Sequence, residues 1–224
     1  MYMIILLAVV GAVLQGVFIA TEHNKKYVAA DVLKGTAAAC FVLIGIIGYM
    51  TRTNDSFGLK IVIGLIFGML GDILLNLRFV VGEEKGQKVF LIGIVSFLIG
   101  HILYLAALIP LAAHTAVCVL IGAILAAMLL AYIFNTMEVK KAFKIFGVFY
   151  LGAVIIMTVM AMDVAISVQT GRSIEYAIGA VLFMVSDIVL IFNTFSGTTR
   201  FSMRIANLSL YYIGQLLIAI CLSI

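Results

Sequence analysis

Eight unbroken apolar runs, each close to the length of a bilayer crossing, constrain this chain more than any motif in it. They lie at roughly 2–21, 29–50, 57–79, 89–110, 113–134, 143–162, 174–195 and 204–224. A spanning helix needs about 20 predominantly apolar residues. In hydrocarbon only helices and closed barrels keep every backbone N–H and C=O hydrogen-bonded. The runs are continuous rather than alternating, which predicts helices and not barrel strands. With 65% hydrophobic and 11% charged residues and a mean hydropathy of +1.29, the chain has no surface to offer water. The expectation is an all-α integral membrane protein, a bundle of about eight transmembrane helices forming one domain over residues 1–224.

Charged clusters separate the runs: Glu22 to Lys26, Arg52 to Asp55, Glu83 to Lys88, Glu138 to Lys144, Asp163 to Glu175 and Arg200 to Arg204. The tightest turn is expected at Pro110 to His114. Eight spans put both termini on one side together with Arg52, Lys60 and Arg172. The other side takes Lys25, Lys26, Arg78, Lys85, Lys88, Lys140, Lys141, Lys144, Arg200 and Arg204. This asymmetry of ten against three, with Lys34 inside a span, predicts a multi-pass protein of the cell membrane. The termini are expected outside and the basic loops in the cytoplasm. Anionic membrane lipid at that face accounts for the net charge of +4, and no nucleic acid partner is needed. Lacking a basic residue before Lys25, the first run reads as a retained helix rather than a cleaved signal. Cys40, Cys118 and Cys221 fall inside spans without disulfide or metal-ligand spacing, and read as small buried side chains.

Two stretches resemble each other. Gly71-Asp72-Ile73-Leu74-Leu75-Asn76 in the third run is similar to Ser186-Asp187-Ile188-Val189-Leu190 in the seventh, with Asn193 a little later. Ile99-Gly100-His101-Ile102-Leu103 in the fourth is similar to Ile213-Gly214-Gln215-Leu216-Leu217 in the eighth. Asp72 and His101 are 29 residues apart, Asp187 and Gln215 are 28 apart. Near-equal spacing suggests two parallel four-helix halves, about 1–110 and 111–224.

Ionisable groups in hydrocarbon are costly and face a cavity or a partner. Here they are few. Asp72 and Asp187 sit past the middle of their helices toward the cytoplasmic side, with His101 and Gln215 near the centres of theirs, and Asp31 and Lys34 open the second helix. Gly64, Gly68, Asp72 and Asn76 recur every four residues, placing two glycines and two polar groups on one stripe where a neighbouring helix can approach. Phe97, His101 and Tyr104 share a face of the fourth helix, and Asn207, Tyr211 and Gln215 form a stripe on the eighth. Asp31 and Lys34 have the spacing of an intrahelical pair. Structural explanations compete with these: a buried ion pair for either aspartate, a hydrogen-bonding strut for His101, a snorkelling Lys34. Tyr104, Tyr211 and Asn76 read more naturally as packing and supporting groups than as reagents.

The chain has no Walker loop, no His-Glu-x-x-His and no Gly-x-Ser-x-Gly. His23 and His114 lie on opposite faces, so a three-histidine site with His101 is ruled out. A metal site built from Asp72, Asp187 and His101 stays open as a minor alternative, although no metal or other cofactor is expected. On residues alone, an enzyme and a small proton-coupled transporter or lipid carrier, with the aspartates as coupling sites, fit about equally.

Taken as an ordered set, Gly71-Asp72, Gly100-His101 with Tyr104, Ser186-Asp187 with Asn193, then Tyr212 and Gln215, resemble the YhhN-type lysoplasmalogenase family. Lys34 falls where that family tends to carry a Lys-Pro pair, with Gly35 in place of the proline. The resemblance runs from about Asp31 to the C-terminus. It implies an eight-helix membrane enzyme that hydrolyses the vinyl ether bond of a lysophospholipid, releasing a fatty aldehyde and glycerophosphoethanolamine or glycerophosphocholine. The chemistry suits the residues. Protonating the β-carbon of a vinyl ether gives an oxocarbenium ion, which needs a proton donor, a nearby negative charge and a base to activate water. Two carboxyl groups in a low-dielectric cavity can divide those tasks. The expected catalytic residues are Asp72, Asp187 and His101. Lys34 is expected to hold the lipid phosphate, with Asn76, Tyr104, Asn193, Tyr211, Tyr212 and Gln215 as substrate-binding or hydrogen-bonding groups. Which aspartate is the acid is left open, and so is the oligomeric state.

Overall fold

A computed structural model describes residues 1–224 apart from Lys140 and the side chains of Glu84 and Ala142. Of the ten basic residues assigned to one face, Lys140 therefore lies outside the described residues. The eight helices are α1 (Tyr2–His23), α2 (Tyr27–Gly48), α3 (Ser56–Leu77), α4 (Glu83–Leu108), α5 (Thr115–Thr136), α6 (Lys141–Val168), α7 (Gly171–Phe195) and α8 (Phe201–Ile220). All eight are long and apolar enough to cross a membrane. The chain is an all-α, multi-pass membrane protein, and the described residues contain no strand.

Each predicted run contains a helix, and the ends that differ have local causes. The fourth run is expected to begin at 89, whereas α4 begins at Glu83. Charged residues suit a helical turn lying outside hydrocarbon, and an acidic residue suits a helix N-terminus. The sixth run is expected to stop before Asp163, yet α6 continues to Val168. Asp163 can stay helical because its carboxylate accepts from His114, at 2.9 Å from the ring Nδ1 and 3.1 Å from the backbone N–H. That extension moves the tightest turn. Only Gln169 and Thr170 join α6 to α7, and Thr170 caps α7 through a reciprocal bond with Ser173. The Pro110–His114 connection is longer. At the other end of the bundle, α2 unwinds into a π turn (Tyr49–Thr53), and the Thr53 hydroxyl donates to the Leu222 carbonyl at 2.7 Å.

Helices α2, α3, α4, α6, α7 and α8 form a ring in which each packs on the next and α8 closes on α2. α1 lies outside the ring against α2 and α8, and α5 lies outside against α6. The succession α1–α2–α3–α4 is thus repeated by α5–α6–α7–α8, and α4 meets α6 as α8 meets α2. Two parallel four-helix halves would give that order. Large apolar side chains of α1 and α5, such as Val13, Val17, Leu120 and Met128, point outward, as a lipid-facing surface requires. Inside the ring, Phe41, Leu65, Tyr104, Met157, Tyr176 and Phe183 fill the centre. The three cysteines are buried and unpaired.

The glycines of α3 set its distance from two neighbours. A methyl group at Gly64 would fall on the Tyr104 ring, one at Gly71 on the Phe97 ring, and one at Gly68 on the Gln215 amide. The stripe ending in Asp72 and Asn76 is therefore the face against which α4 and α8 are seated. This close seating carries both polar groups inward, and each is 4% exposed.

Candidate functional site

A cavity of about 130 Å³ lies inside the ring. It is at the end where α1, α3 and α7 finish and α2, α4, α6 and α8 start, the end of the basic loops. Its walls include Lys34 of α2, Asp72 and Asn76 of α3, Tyr150 of α6, Asp187 of α7 and Tyr211 of α8. Most of the remaining lining is apolar and aromatic.

The two aspartates are equally buried, at 4% exposure, and differently partnered. On Asp72 both oxygens are engaged: Oδ1 lies 3.3 Å from Lys34 Nζ, and Oδ2 accepts from the Tyr211 hydroxyl at 2.7 Å. Lys34 is itself 4% exposed, with its ammonium 4.4 Å from the Tyr211 ring centre and 5.2 Å from that of Phe18. Its ion pair runs across to α3. Asp31, the neighbour three residues earlier, has no ion-pair partner among the described residues. Asp187 meets no cation within ion-pair distance among those residues. It accepts one hydrogen bond, from Tyr150 at 2.6 Å to Oδ2.

Behind Asp72 a chain of polar groups fixes Tyr211. Tyr104 donates to the Gln215 amide oxygen at 3.3 Å, and the Gln215 amide nitrogen lies 3.5 Å from the Tyr211 hydroxyl. Behind Asp187 the packing is aromatic. The His101 ring packs against Phe183, Tyr150 and Tyr104, with centroids 4.7, 5.6 and 5.7 Å away. Its Nδ1 donates to the Phe97 carbonyl at 2.8 Å, and its Nε2 is buried without a partner.

A model of the YhhN family matches residues 29–222. The chain belongs to that family. No curated protein and no solved structure matches it.

Of the residues singled out in this YhhN protein from sequence, the structure gathers Lys34, Asp72, Asn76, Asp187 and Tyr211 on the cavity wall. His101, Tyr104 and Gln215 stand one layer deeper. Tyr212 and Asn193 are not on the wall: Tyr212 donates to the Ala37 carbonyl at 2.9 Å, and Asn193 accepts from the Arg200 backbone N–H at 2.7 Å. Those two bonds tie α8 to α2 and hold the α7–α8 turn.

The YhhN site also contains groups that sequence reasoning passed over. Tyr150 lay in an apolar run with nothing beside it to mark it. Its place in the ring held the one usable signal, because α6 packs beside α7 as α2, which contributes Lys34, packs beside α3. Arg78 and Arg204, which read in the sequence only as loop charges, both line the cavity. Arg204 is gripped by Glu22 through two bonds, Nε to Oε2 at 3.0 Å and Nη2 to Oε1 at 2.6 Å. Asn207, placed on the α8 stripe, lines the cavity while donating to the Ser186 carbonyl at 2.9 Å.

Proposed function

We propose that the protein hydrolyses the vinyl ether bond of a lysoplasmalogen inside this cavity, with Asp187 as proton donor and Asp72 as the anionic partner. The observation that carries the reading is two buried carboxyl groups on one cavity wall with unequal partners. Asp72 has a counter-cation and two engaged oxygens, an arrangement that favours a carboxylate. Asp187 has no counter-cation, and a phenol donates to only one of its oxygens. A protonated Asp187 keeps Oδ2 as the acceptor for Tyr150 and leaves Oδ1 to present the proton.

The steps follow. Asp187 transfers its proton to the β-carbon, and the π electrons of the double bond form the new C–H bond. The resulting oxocarbenium ion is stabilised by the negative charge of Asp72, in a site where low dielectric strengthens that attraction. Water adds to the carbon bonded to the ether oxygen, giving up a proton to the Asp187 carboxylate. The hemiacetal collapses when its hydroxyl proton leaves and the departing glycerol oxygen is protonated. Aldehyde and alcohol result, and the acid is restored. Lys34 holds Asp72 in place, and the Tyr104–Gln215–Tyr211 chain orients its second oxygen. His101 supports the Tyr150 ring from behind. With the basic loops in the cytoplasm, the cavity would draw substrate from the inner leaflet.

The test is aldehyde release from a lysoplasmenyl-ethanolamine by purified protein in nonionic detergent, beside Asp187→Asn and Asp72→Asn. Both variants are expected to lose at least about a thousandfold in kcat, since each removes a charge or proton used in the transition state. Near-normal turnover in either well-folded variant sinks the assignment. Turnover by neither wild type nor variants, with substrate-dependent flux in sealed vesicles, would point instead to a carrier.

A further inference from the structure

The rim of the cavity carries a fixed positive charge that the proposed chemistry does not use. Lys34 faces Asp72 and Arg204 faces Glu22, so each of those cations has its anion. Arg78, at the C-terminal end of α3, has no ion-pair partner among the described residues, and its Nε is buried without a hydrogen bond. Its guanidinium carbon lies 4.5 Å from the Phe79 ring centre and 4.2 Å from that of Phe90, which holds the planar fork in position. Burial pushes the group down to about 10, and neighbouring Arg204 acts in the same direction, so it stays charged at neutral pH. Two residues earlier, Asn76 also lines the cavity, and its amide nitrogen is likewise buried without a partner.

We infer that Arg78, assisted by Asn76, is the anion subsite of this cavity and binds the phosphodiester of a single-chain amphiphile. The assignment rests on the lysophospholipid reading above for the identity of that amphiphile. It gives the phosphate role, expected from sequence at Lys34, to a cavity cation that has no anion among the described residues. Charge matches: a guanidinium with no anion among the described residues meets a phosphodiester, which carries a single negative charge, and the fork suits paired hydrogen bonds to its oxygens. Length matches too. Six residues separate Asp72 from Arg78 on the sequence, and at about 1.5 Å per residue they lie roughly 9 Å apart along α3. From the phosphorus of such a lipid to the β-carbon of its vinyl ether is a path of about seven covalent bonds, roughly 8 Å when extended. A phosphate seated at Arg78 therefore delivers the reactive carbons to the depth of the carboxyl groups.

Binding can be measured without turnover by calorimetry in nonionic detergent. The probe is a saturated 1-O-alkyl glycerophosphoethanolamine, which has no vinyl ether to hydrolyse. It is compared with the 1-O-alkyl glycerol lacking the phosphate, and with glycerophosphoethanolamine and inorganic phosphate lacking the chain. The wild type is expected to prefer the phosphodiester amphiphile over the alkyl glycerol by about tenfold or more, and Arg78→Met to erase that preference while binding the alkyl glycerol unchanged. Retention of the preference in folded Arg78→Met overturns the subsite. So does equal affinity for inorganic phosphate, which would mark a free-anion site. Should the Met variant fail to fold, Arg78→Lys carries the test: it keeps the charge but loses the fork, and an unweakened phosphodiester preference there is equally fatal. Arg78-dependent binding without aldehyde release keeps the subsite and refutes the hydrolase. Aldehyde release with KM unmoved in Arg78→Met does the reverse.

Discussion

The two halves of the cavity place a carboxyl group at corresponding depths of corresponding helices and then treat it oppositely. On the α3 side, Asp72 receives an ammonium from α2 and a hydroxyl from α8. On the α7 side, Asp187 receives a hydroxyl from α6, and the residue of α4 that matches Tyr211 is Phe97, which has none to give. Phe97 and His101 are four apart on α4 as Tyr211 and Gln215 are on α8, and in both cases the aromatic ring faces the cavity. We read the halves as parallel repeats whose backbone plan was kept while the partners of the acids diverged. On the proposed reading, this difference in partners is what would let one cavity hold a charged and a proton-bearing carboxyl group, the environment of each rather than its depth deciding its role.

The strongest way to break this comparison is to take the ammonium from the α3 side. Lys34→Met leaves Asp72 buried without its counter-charge. Breaking a buried pair from one side costs about 3–5 kcal/mol, so the variant is expected to unfold at a markedly lower temperature in detergent and to lose turnover. Adding Asp72→Asn should return much of the stability and none of the activity, because the orphaned charge goes with it. If Lys34→Met alone is as stable as the wild type, the ion pair does not organise this half.

The next effect belongs to the other side. Tyr150→Phe removes a neutral donor, worth about 1 kcal/mol in stability, so the fold should hold. Turnover is expected to fall by about ten- to a hundredfold through kcat, with KM little changed, because the tyrosine touches Asp187 rather than the phosphate end of the lipid. A KM-only effect would reassign Tyr150 to substrate binding.

Much of this was legible in the chain before any coordinates. The eight spans followed from apolar length alone, and the aspartates stood out because few other charges interrupt those spans. The Gly64–Gly68–Asp72–Asn76 stripe announced which face of α3 turns inward, since glycines at that spacing leave room for a neighbour. What sequence could not supply was pairing between helices. Lys34 had a carboxylate three residues away in Asp31 and chose one on another helix, a choice fixed by the packing of α2 on α3. Tyr150 was hidden because a tyrosine in an apolar run looks like packing until its hydroxyl is seen on an acid. Arg78 was hidden for the opposite reason: one more basic residue near a loop is expected at that face. α6 outlasts its apolar run because the charge of Asp163 is answered by His114, 49 residues away.

The smallest effect tests the repeat most directly. Phe97→Tyr adds a hydroxyl on the α4 side, on a ring that lines the cavity, where Tyr211 carries one on the α8 side. If the halves correspond, that hydroxyl reaches Asp187 and becomes its second donor. A carboxylate accepting two hydrogen bonds is favoured over the acid form by about 1 kcal/mol relative to one accepting a single bond. Asp187 would then give up its proton to solvent or product more readily and hold it less often for substrate. Turnover should drop about fivefold at neutral pH and recover at lower pH, with thermal stability close to that of the wild type. An unchanged rate at every pH, in a variant that remains folded, would mean that Phe97 does not stand to Asp187 as Tyr211 stands to Asp72. The likeness of the two halves would then stop at the helices and not extend to the groups around the acids.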